Sequence, residues 1–424
     1  MKIFILTPLY WPSLGGVQVS MRLTAAHLVR QGHEVTVLTS QMKSADGANA
    51  KNFRCVDPLP PSEKHAGVSI RRFPTGGLID LFYGILFSGS YRLKLPFWPA
   101  VYGAYRRRRF RVASMLRYLC SQSPDLLLVA PCADEFIKLG AEARRRTGVK
   151  LAMATSLHIS SFASDDSDFS PRELPRLKEY DALLANTVYE RDFLIQQGMS
   201  PEKVHVTGVP VDLKAMTSVV PALTEERLRP LSQKKFVLYL GRKEKGKGIG
   251  TLVDIFEKPS EELRDVTLVL AGVTSDYFEK KIRPRTLNHT SILVVDSLDE
   301  ASKWWLFKHA AAYCMVSNVD SFGITYLEAW LSGLPVVAAD LPAMRCVIRE
   351  GEDGLLAPYG DKERIREALV RLVSDEDSAR LMGEKGRQKV SLERGDYAVE
   401  KKVEKILEGL FLATQTRQAE RPGS

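Results

Sequence analysis

Short apolar runs that break at glycine loops and hand over to helical patterns are what most restricts this chain. The first is Lys2 to Thr7, which stops at a loop from Trp11 to Gly16. A helical pattern runs from about Val17 to Gln31, Gly32 ends it, and Val35 to Thr39 starts a second strand. Strand, loop, helix, parallel strand is the opening of a doubly wound sheet. Further runs at Leu126 to Ala130, Leu151 to Thr155, Ala182 to Ala185 and Val204 to Thr207 continue it. A second series begins at Phe236 to Leu240 and goes on through Thr267 to Ala271, Ile292 to Val295, Ala312 to Met315 and Val336 to Ala338. Helical patterns alternate with these strands too. Between the series, Lys214 to Lys235 carries Pro221 and Pro230 without strand character and reads as a linker.

The expected fold class is therefore α/β, with two Rossmann-like doubly wound domains. The chain's 424 residues suit two domains of roughly 100–200 residues each. We place the first at residues 1–214 and the second at 215–392. Residues 393–424 should hold a last amphipathic helix, about Gly395 to Phe411, packing back on the first domain, and a polar tail after Ala413.

Composition narrows the function. A net charge of +9 suits an anionic ligand or surface. The basic residues are dispersed and no stacking-aromatic module occurs, so nucleic acid is not the expected partner. The five cysteines form no C-x-x-C pair and are odd in number, which disfavours zinc or a disulfide framework and fits a reducing compartment. Ile3 to Leu6 is too short for a secretory h-region and Pro8 follows at once. No apolar stretch of about 18 residues suggests a spanning helix. The expected location is the cytoplasm.

Three motifs carry chemistry. Gly15-Gly16 lies between the first strand and helix, where backbone N–H groups and the helix dipole favour a phosphate. Gly241-Arg242-Lys243-Glu244-Lys245-Gly246-Lys247-Gly248 follows a strand and nearly spells a P-loop, but Gly248 replaces the Ser or Thr that would hold magnesium. What remains is a cationic loop with Arg242 and Lys247 suited to a diphosphate. The third is Asp320-Ser321-Phe322-Gly323-Ile324-Thr325-Tyr326-Leu327-Glu328. Its acids are eight positions apart across a helix start, whose N–H groups at Phe322 to Thr325 lack intrahelical acceptors. Helical side chains lean toward the N-terminus, which aims Glu328 back toward Asp320. The competing reading is an N-capping Asp320 and a surface Glu328. Asp166-Ser167-Asp168 and Asp375-Glu376-Asp377 spell D-x-D, but neither follows a buried strand, and the second sits at a helix start.

In order along the chain, Gly15-Gly16, Gly32-His33-Glu34-Val35, Gly208-Val209-Pro210-Val211-Asp212, Gly241-Arg242 to Lys247-Gly248-Ile249, Asp320 to Glu328 with Gly333-Leu334-Pro335-Val336-Val337, and Gly351 to Leu355 resemble the retaining GT-B glycosyltransferases of family four, the glycosyl transferases group 1. The resemblance spans about residues 1–390. It implies a GT-B architecture, two Rossmann-like domains facing a cleft, and transfer of a sugar from a nucleoside diphosphate donor, UDP or GDP type, to a glycan or lipid-linked acceptor. It implies catalytic roles for Arg242, Lys247, Asp320 and His158, and donor binding by Gly15, Gly16, Phe322, Gly323, Ile324, Thr325 and Glu328. No cofactor beyond the co-substrate and no metal is expected, since Arg242, Lys247 and the helix dipoles suit the leaving diphosphate. One departure stands out: the first acid is Asp320, where the family usually has Glu. A nucleotide-sugar epimerase or hydrolase of the same architecture, and a non-catalytic nucleotide-sugar-binding partner, stay open as alternatives.

Gly77 to Tyr105 is rich in aromatic and aliphatic residues, and Arg106-Arg107-Arg108-Arg109-Phe110-Arg111 follows directly. Two readings stay open. One is an anionic membrane surface bound peripherally through Gly77 to Arg111 on the cytoplasmic face. The other is a packed helical hairpin with a solvated arginine face.

Overall fold

The computed structural model describes residues 1–13, 15–43, 58–75, 85, 86, 89, 93, 95, 113–159, 169, 171–287 and 289–419. Apart from a few isolated positions, Gly77 to Arg111 lies outside the described residues, as do Asp166 to Asp168. Two compact units appear: Met1–Pro210 with Tyr397–Ser424, and Val211–Asp396.

The first unit is built on β1 (Lys2–Leu6), β2 (Glu34–Ser40), β3 (Ser62–His65), β4 (Val68–Phe73), β5 (Leu126–Val129), β6 (Lys150–Ala154), β7 (Ala182–Ala185) and β8 (Val204–Val206). Their order is β3-β4-β2-β1-β5-β6-β7-β8. Every pairing is parallel except β3 with β4. The apolar runs are continuous because both faces are covered. Ile3, Ile5, Leu126, Leu128 and Ala152 point into one core cluster, while Phe4, Leu6, Leu127, Val129, Leu151 and Met153 point into the other. The C-terminal helix Ala398–Ala419 packs on the helix Gly16–Arg30, with Val403 and Leu407 in the same cluster as Met21, Ala25 and Leu28. This helix runs past the expected start of the polar tail at Ala413, because no Gly or Pro falls between Ala413 and Ala419.

The second unit holds β9 (Phe236–Leu240), β10 (Thr267–Ala271), β11 (Ile292–Val295), β12 (Ala312–Met315), β13 (Val336–Ala339) and β14 (Gly354–Ala357). The order is β11-β10-β9-β12-β13-β14, all parallel. Winding reverses between β9 and β12, and between β1 and β5 in the first unit. Crevices at such switch points, outside the carboxyl ends of the strands, are where open α/β sheets bind ligands. The stretch Lys214 to Lys235, read as a linker, belongs to the second unit instead. It forms the helices Ala215–Ser218 and Glu226–Gln233, and the latter buries Leu228 and Leu231 at the three-residue spacing of a 3₁₀ turn.

Candidate active site

At the β9/β12 switch point two loops are laced together. The loop after β9 leads through Lys245–Lys247 to the helix Ile249–Glu257, and the loop after β12 leads to the helix Ile324–Leu331. Asn318 N donates to Gly246 O at 2.8 Å, and Ser317 Oγ donates to the same carbonyl at 3.2 Å. Gly248 has φ +74°, and a Cβ there would lie 2.2 Å from Val316 O. That close approach explains why no Ser or Thr completes a P-loop: a side chain at 248 would push the loops apart. Buried tyrosines prop the strand exits. Tyr239 donates to Arg242 O at 2.7 Å, and the Tyr313 hydroxyl lies 2.9 Å from Leu240 O and 2.8 Å from Thr325 Oγ1. Thr325 is thereby engaged through its side chain in holding the helix start.

Lys247 reaches across the seam. Its Nζ is 2.7 Å from Asp320 Oδ1 and 3.4 Å from Val319 O. The two side chains are 18% and 9% exposed. Asp320 Oδ2 is buried with no hydrogen-bond partner. A buried carboxylate oxygen left unsatisfied is costly and calls for an explanation at a site. Asp320 is not the helix cap: Gly323 is, with φ +82° and no side-chain capping bond. A Cβ at Gly323 would meet the Tyr326 ring at 2.3 Å. The first N–H groups of this helix are therefore uncapped by any side chain. Phe322 is buried, with the Arg394 guanidinium 5.1 Å from its ring centroid, and Ile324 opens the helix. At these positions the backbone, not the side chains, is what can meet an anion.

Glu328 has its own cation rather than sharing one with Asp320. Lys303, from the helix Glu300–His309, lies 3.3 Å away, and the two side chains are 18% and 19% exposed. Burial pushes the Glu328 carboxyl up, against the pull of Lys303. Burial likewise opposes the charge on Lys303, but the Glu328 and Glu300 carboxylates outweigh it and hold its pKa above the ordinary lysine value.

The cations of the loop after β9 divide into different tasks. Arg242 is 58% exposed and lies 2.8 Å from Glu244. Lys243, a neighbour that residue type alone does not set apart, is fully buried. Its Nζ donates to Val295 O at 2.8 Å and lies 3.0 Å from Asp296 and 4.9 Å from the Phe278 ring centroid. Burial pulls its pKa down, against Asp296. Lys243 ties strand exits together and is structural. Asp375 caps the helix Glu376–Arg394 by accepting from Ser378 N at 3.0 Å, so the second D-x-D is a cap.

In the first unit Gly15 precedes and Gly16 begins the helix Gly16–Arg30 after β1, again without a side-chain cap. His158 is exposed just past the carboxyl end of β6. The loop that carries it is held by Glu190, which sequence reasoning missed. Glu190 Oε1 accepts from Thr155 Oγ1 and from Leu157 N, both at 2.6 Å, and Oε2 accepts from Asn186 N at 2.7 Å. Burial pushes this carboxyl up to about 7, against those three hydrogen bonds. Its signal in the sequence is Thr187-Val188-Tyr189-Glu190, the spacing of a capping box. Thr187 does cap Glu190 N at 3.1 Å, but the Glu190 carboxylate crosses to the exit of β6 instead of closing the box on Thr187 N.

Comparison with known proteins agrees with this geometry. Residues 224–389 match the model of "Glycosyl transferases group 1", and residues 15–210 that of "Glycosyl transferase 4-like domain". The chain belongs to the glycosyl transferases group 1. It is a nucleotide-sugar-dependent glycosyltransferase with the GT-B fold. A phosphatidyl-myo-inositol mannosyltransferase of Mycobacterium leprae is 37% identical over 145 residues, 34% of this chain and 38% of the relative. A D-inositol 3-phosphate glycosyltransferase of Corynebacterium glutamicum is 25% identical over 89% of this chain and 88% of its own length. In fold, this glycosyltransferase resembles HepE of Anabaena in complex with UDP-glucose, with TM-score 0.69 at 16% identity, covering 96% of this chain and 100% of that one. It also resembles sucrose-phosphate synthase from Thermosynechococcus elongatus, with TM-score 0.72 at 19% identity, covering 97% and 99%. Among the described residues no helix is long and apolar enough to cross a membrane.

Proposed function

We propose that this glycosyltransferase moves a sugar from a UDP- or GDP-sugar to a lipid-linked or glycan acceptor with retention of anomeric configuration. The second unit, Val211–Asp396, takes the donor. Arg242 and Lys247 hold the diphosphate, assisted by the uncapped N–H groups from Phe322 to Thr325. Glu328 accepts from the ribose diol, and Asp320 from a hydroxyl of the donor sugar. The first unit takes the acceptor. As the glycosidic bond breaks, negative charge grows on the departing diphosphate. Groups fixed in place beforehand stabilise that charge more than they stabilise the bound donor. The acceptor hydroxyl adds from the leaving-group face and its proton passes to the diphosphate.

The observation that carries this reading is the Lys247–Asp320 pair at the β9/β12 switch point, 2.7 Å apart with Asp320 Oδ2 buried and unsatisfied. An inositol lipid is named for the mycobacterial relative, and a lipid acceptor accords with the aromatic and arginine-rich sequence from Gly77 to Arg111. We place the enzyme on the cytoplasmic face of an anionic membrane through that segment, each basic residue contributing about 1 kcal/mol.

The test offers UDP- and GDP-sugars with and without phosphoinositide vesicles, following nucleoside diphosphate release and the anomeric configuration of any product by NMR. Acceptor-dependent release with a retained anomer is expected. Sugar released or isomerised equally without acceptor would make it a hydrolase or epimerase. Donor binding without turnover on any acceptor would make it a non-catalytic partner.

A further inference from the structure

Within the first unit, polar groups gather beside the apolar seam between the helix Gly16–Arg30 and the C-terminal helix. His27 is fully buried, and its Nε2 lies 2.8 Å from Glu404 Oε2. His33, in the turn before β2, places Nε2 at 3.3 Å from the other oxygen, Glu404 Oε1. Glu408 follows Glu404 by one helical turn, on the same face. One ligand atom each from His33, Glu404 and Glu408 lie within 4.8 Å of one another.

The protonation of His27 follows from its surroundings. Its Nδ1 is buried with no hydrogen-bond partner. A proton there would be an unpaired buried N–H, so the neutral ring carries its one proton on Nε2 and donates it to Glu404 Oε2. That hydrogen bond fixes the carboxylate and leaves Oε1 facing His33. Ligating groups in metal sites are oriented by such second bonds. A tetrahedral ion with bonds of about 2.0–2.1 Å has neighbouring ligands about 3.3 Å apart, and His33 Nε2 and Glu404 Oε1 are separated by 3.3 Å. Glu408 is exposed and makes no hydrogen bond among the described residues, so its side chain is free to close the remaining gap.

We propose that His33, Glu404 and Glu408 bind a zinc-class divalent ion, with His27 orienting Glu404. One imidazole and two carboxylates suit zinc or its first-row neighbours, whereas calcium and magnesium take oxygen ligands throughout. Water completes the coordination. The ion joins the turn before β2 to the C-terminal helix, so binding stabilises the docked helix by mass action. It takes no part in donor binding, which we place on the second unit. The Met1 amine lies 3.4 Å from His33 Nδ1.

The test uses the untagged full chain, stripped with a chelator and titrated with Zn²⁺ by calorimetry and with Co²⁺ by visible absorption. Mg²⁺ serves as the control. The wild type should take up one Zn²⁺ per chain, show tetrahedral Co²⁺ bands and unfold at a higher temperature with Zn²⁺ than without. E408Q should bind about 10–100-fold more weakly, and H33Q should lose saturable binding and the shift. Should H33Q fail to fold, E408Q decides, since Glu408 is exposed and the docked face of the helix is formed by Val403 and Leu407. No saturable Zn²⁺ binding by the wild type, or equal affinity in E408Q, would leave only a hydrogen-bonded latch and overturn the site.

Discussion

Replacing Lys247 by Ala does two separable things, and separating them tests the site. It removes a cation from the proposed leaving group. It also strips Asp320 of its one partner among the described residues, while its other oxygen is already buried and unsatisfied. Breaking a buried ion pair by deleting one partner costs about 3–5 kcal/mol. Lys247 keeps some contact with water, so the lower end applies and we expect a loss of about 3 kcal/mol near neutral pH. Urea unfolding followed by circular dichroism should therefore find Lys247→Ala less stable than the wild type by about that amount. Adding Asp320→Asn removes the stranded charge and should recover most of the stability. It should not recover turnover: kcat/KM should stay about 10²–10³-fold down, the effect of losing one preorganised group at a developing charge. Lys247→Ala/Asp320→Asn with near-normal turnover would refute the phosphate role and leave Lys247 as the counter-ion of Asp320 alone.

Three further outcomes follow from the same geometry. Glu328→Gln should weaken nucleoside diphosphate binding about tenfold, the worth of one charge-assisted hydrogen bond, read by calorimetry; unchanged affinity would free Glu328 from the ribose. Glu190→Gln presents an N–H to either Leu157 N or Asn186 N, and should cost about 1–3 kcal/mol while lowering kcat through the His158 loop. Because Glu190 sits at about 7 against an ordinary 4.5, the wild type should lose stability as pH rises from 4.5 through 7, a slope that the Gln variant lacks. Gly248→Ala should cost about 1–2 kcal/mol from its left-handed backbone alone, and more from the Val316 O contact at 2.2 Å; a variant as stable as the wild type would deny the close approach of the two loops.

The strands were legible because burial on both faces of a parallel sheet leaves a run of apolar residues with no phase to misread. Phe236 to Leu240 and Thr267 to Ala271 occupy the expected residues. The antiparallel pair β3 and β4 was not legible. Ser62–His65 is a polar edge strand, and Val68–Phe73 carries two arginines before its last residue, one of which, Arg72, is buried with its guanidinium on Glu63, Pro60 O and Trp11 O. Pairing to distant backbone atoms leaves no local pattern. Short β14 was likewise not legible, since four residues after a glycine turn carry little periodicity.

The same distinction governs the site. Residue types and their order along the chain identify the loops, because a diphosphate needs cations at strand ends whatever their orientation. Orientation is another matter. In a helix or strand, spacing carries phase; in a loop it does not, and consecutive residues leave in unrelated directions. Arg242, Lys243 and Lys247 are equivalent on paper, yet one lies exposed on Glu244, one is buried on the ends of β10 and β11, and one crosses to Asp320. The helical lean of Glu328 is an argument about direction alone and says nothing of Lys303, which arrives from another helix. Glu190 is the instructive case, since its local spacing has a complete explanation as a capping box while its carboxylate serves the loop of His158. A residue whose local role is already satisfied gives no sequence cue to a second, long-range one. Such groups emerge only when the hydrogen bonds of each buried carboxylate oxygen are counted, and that count also singles out Asp320 Oδ2 as the acceptor still awaiting a donor.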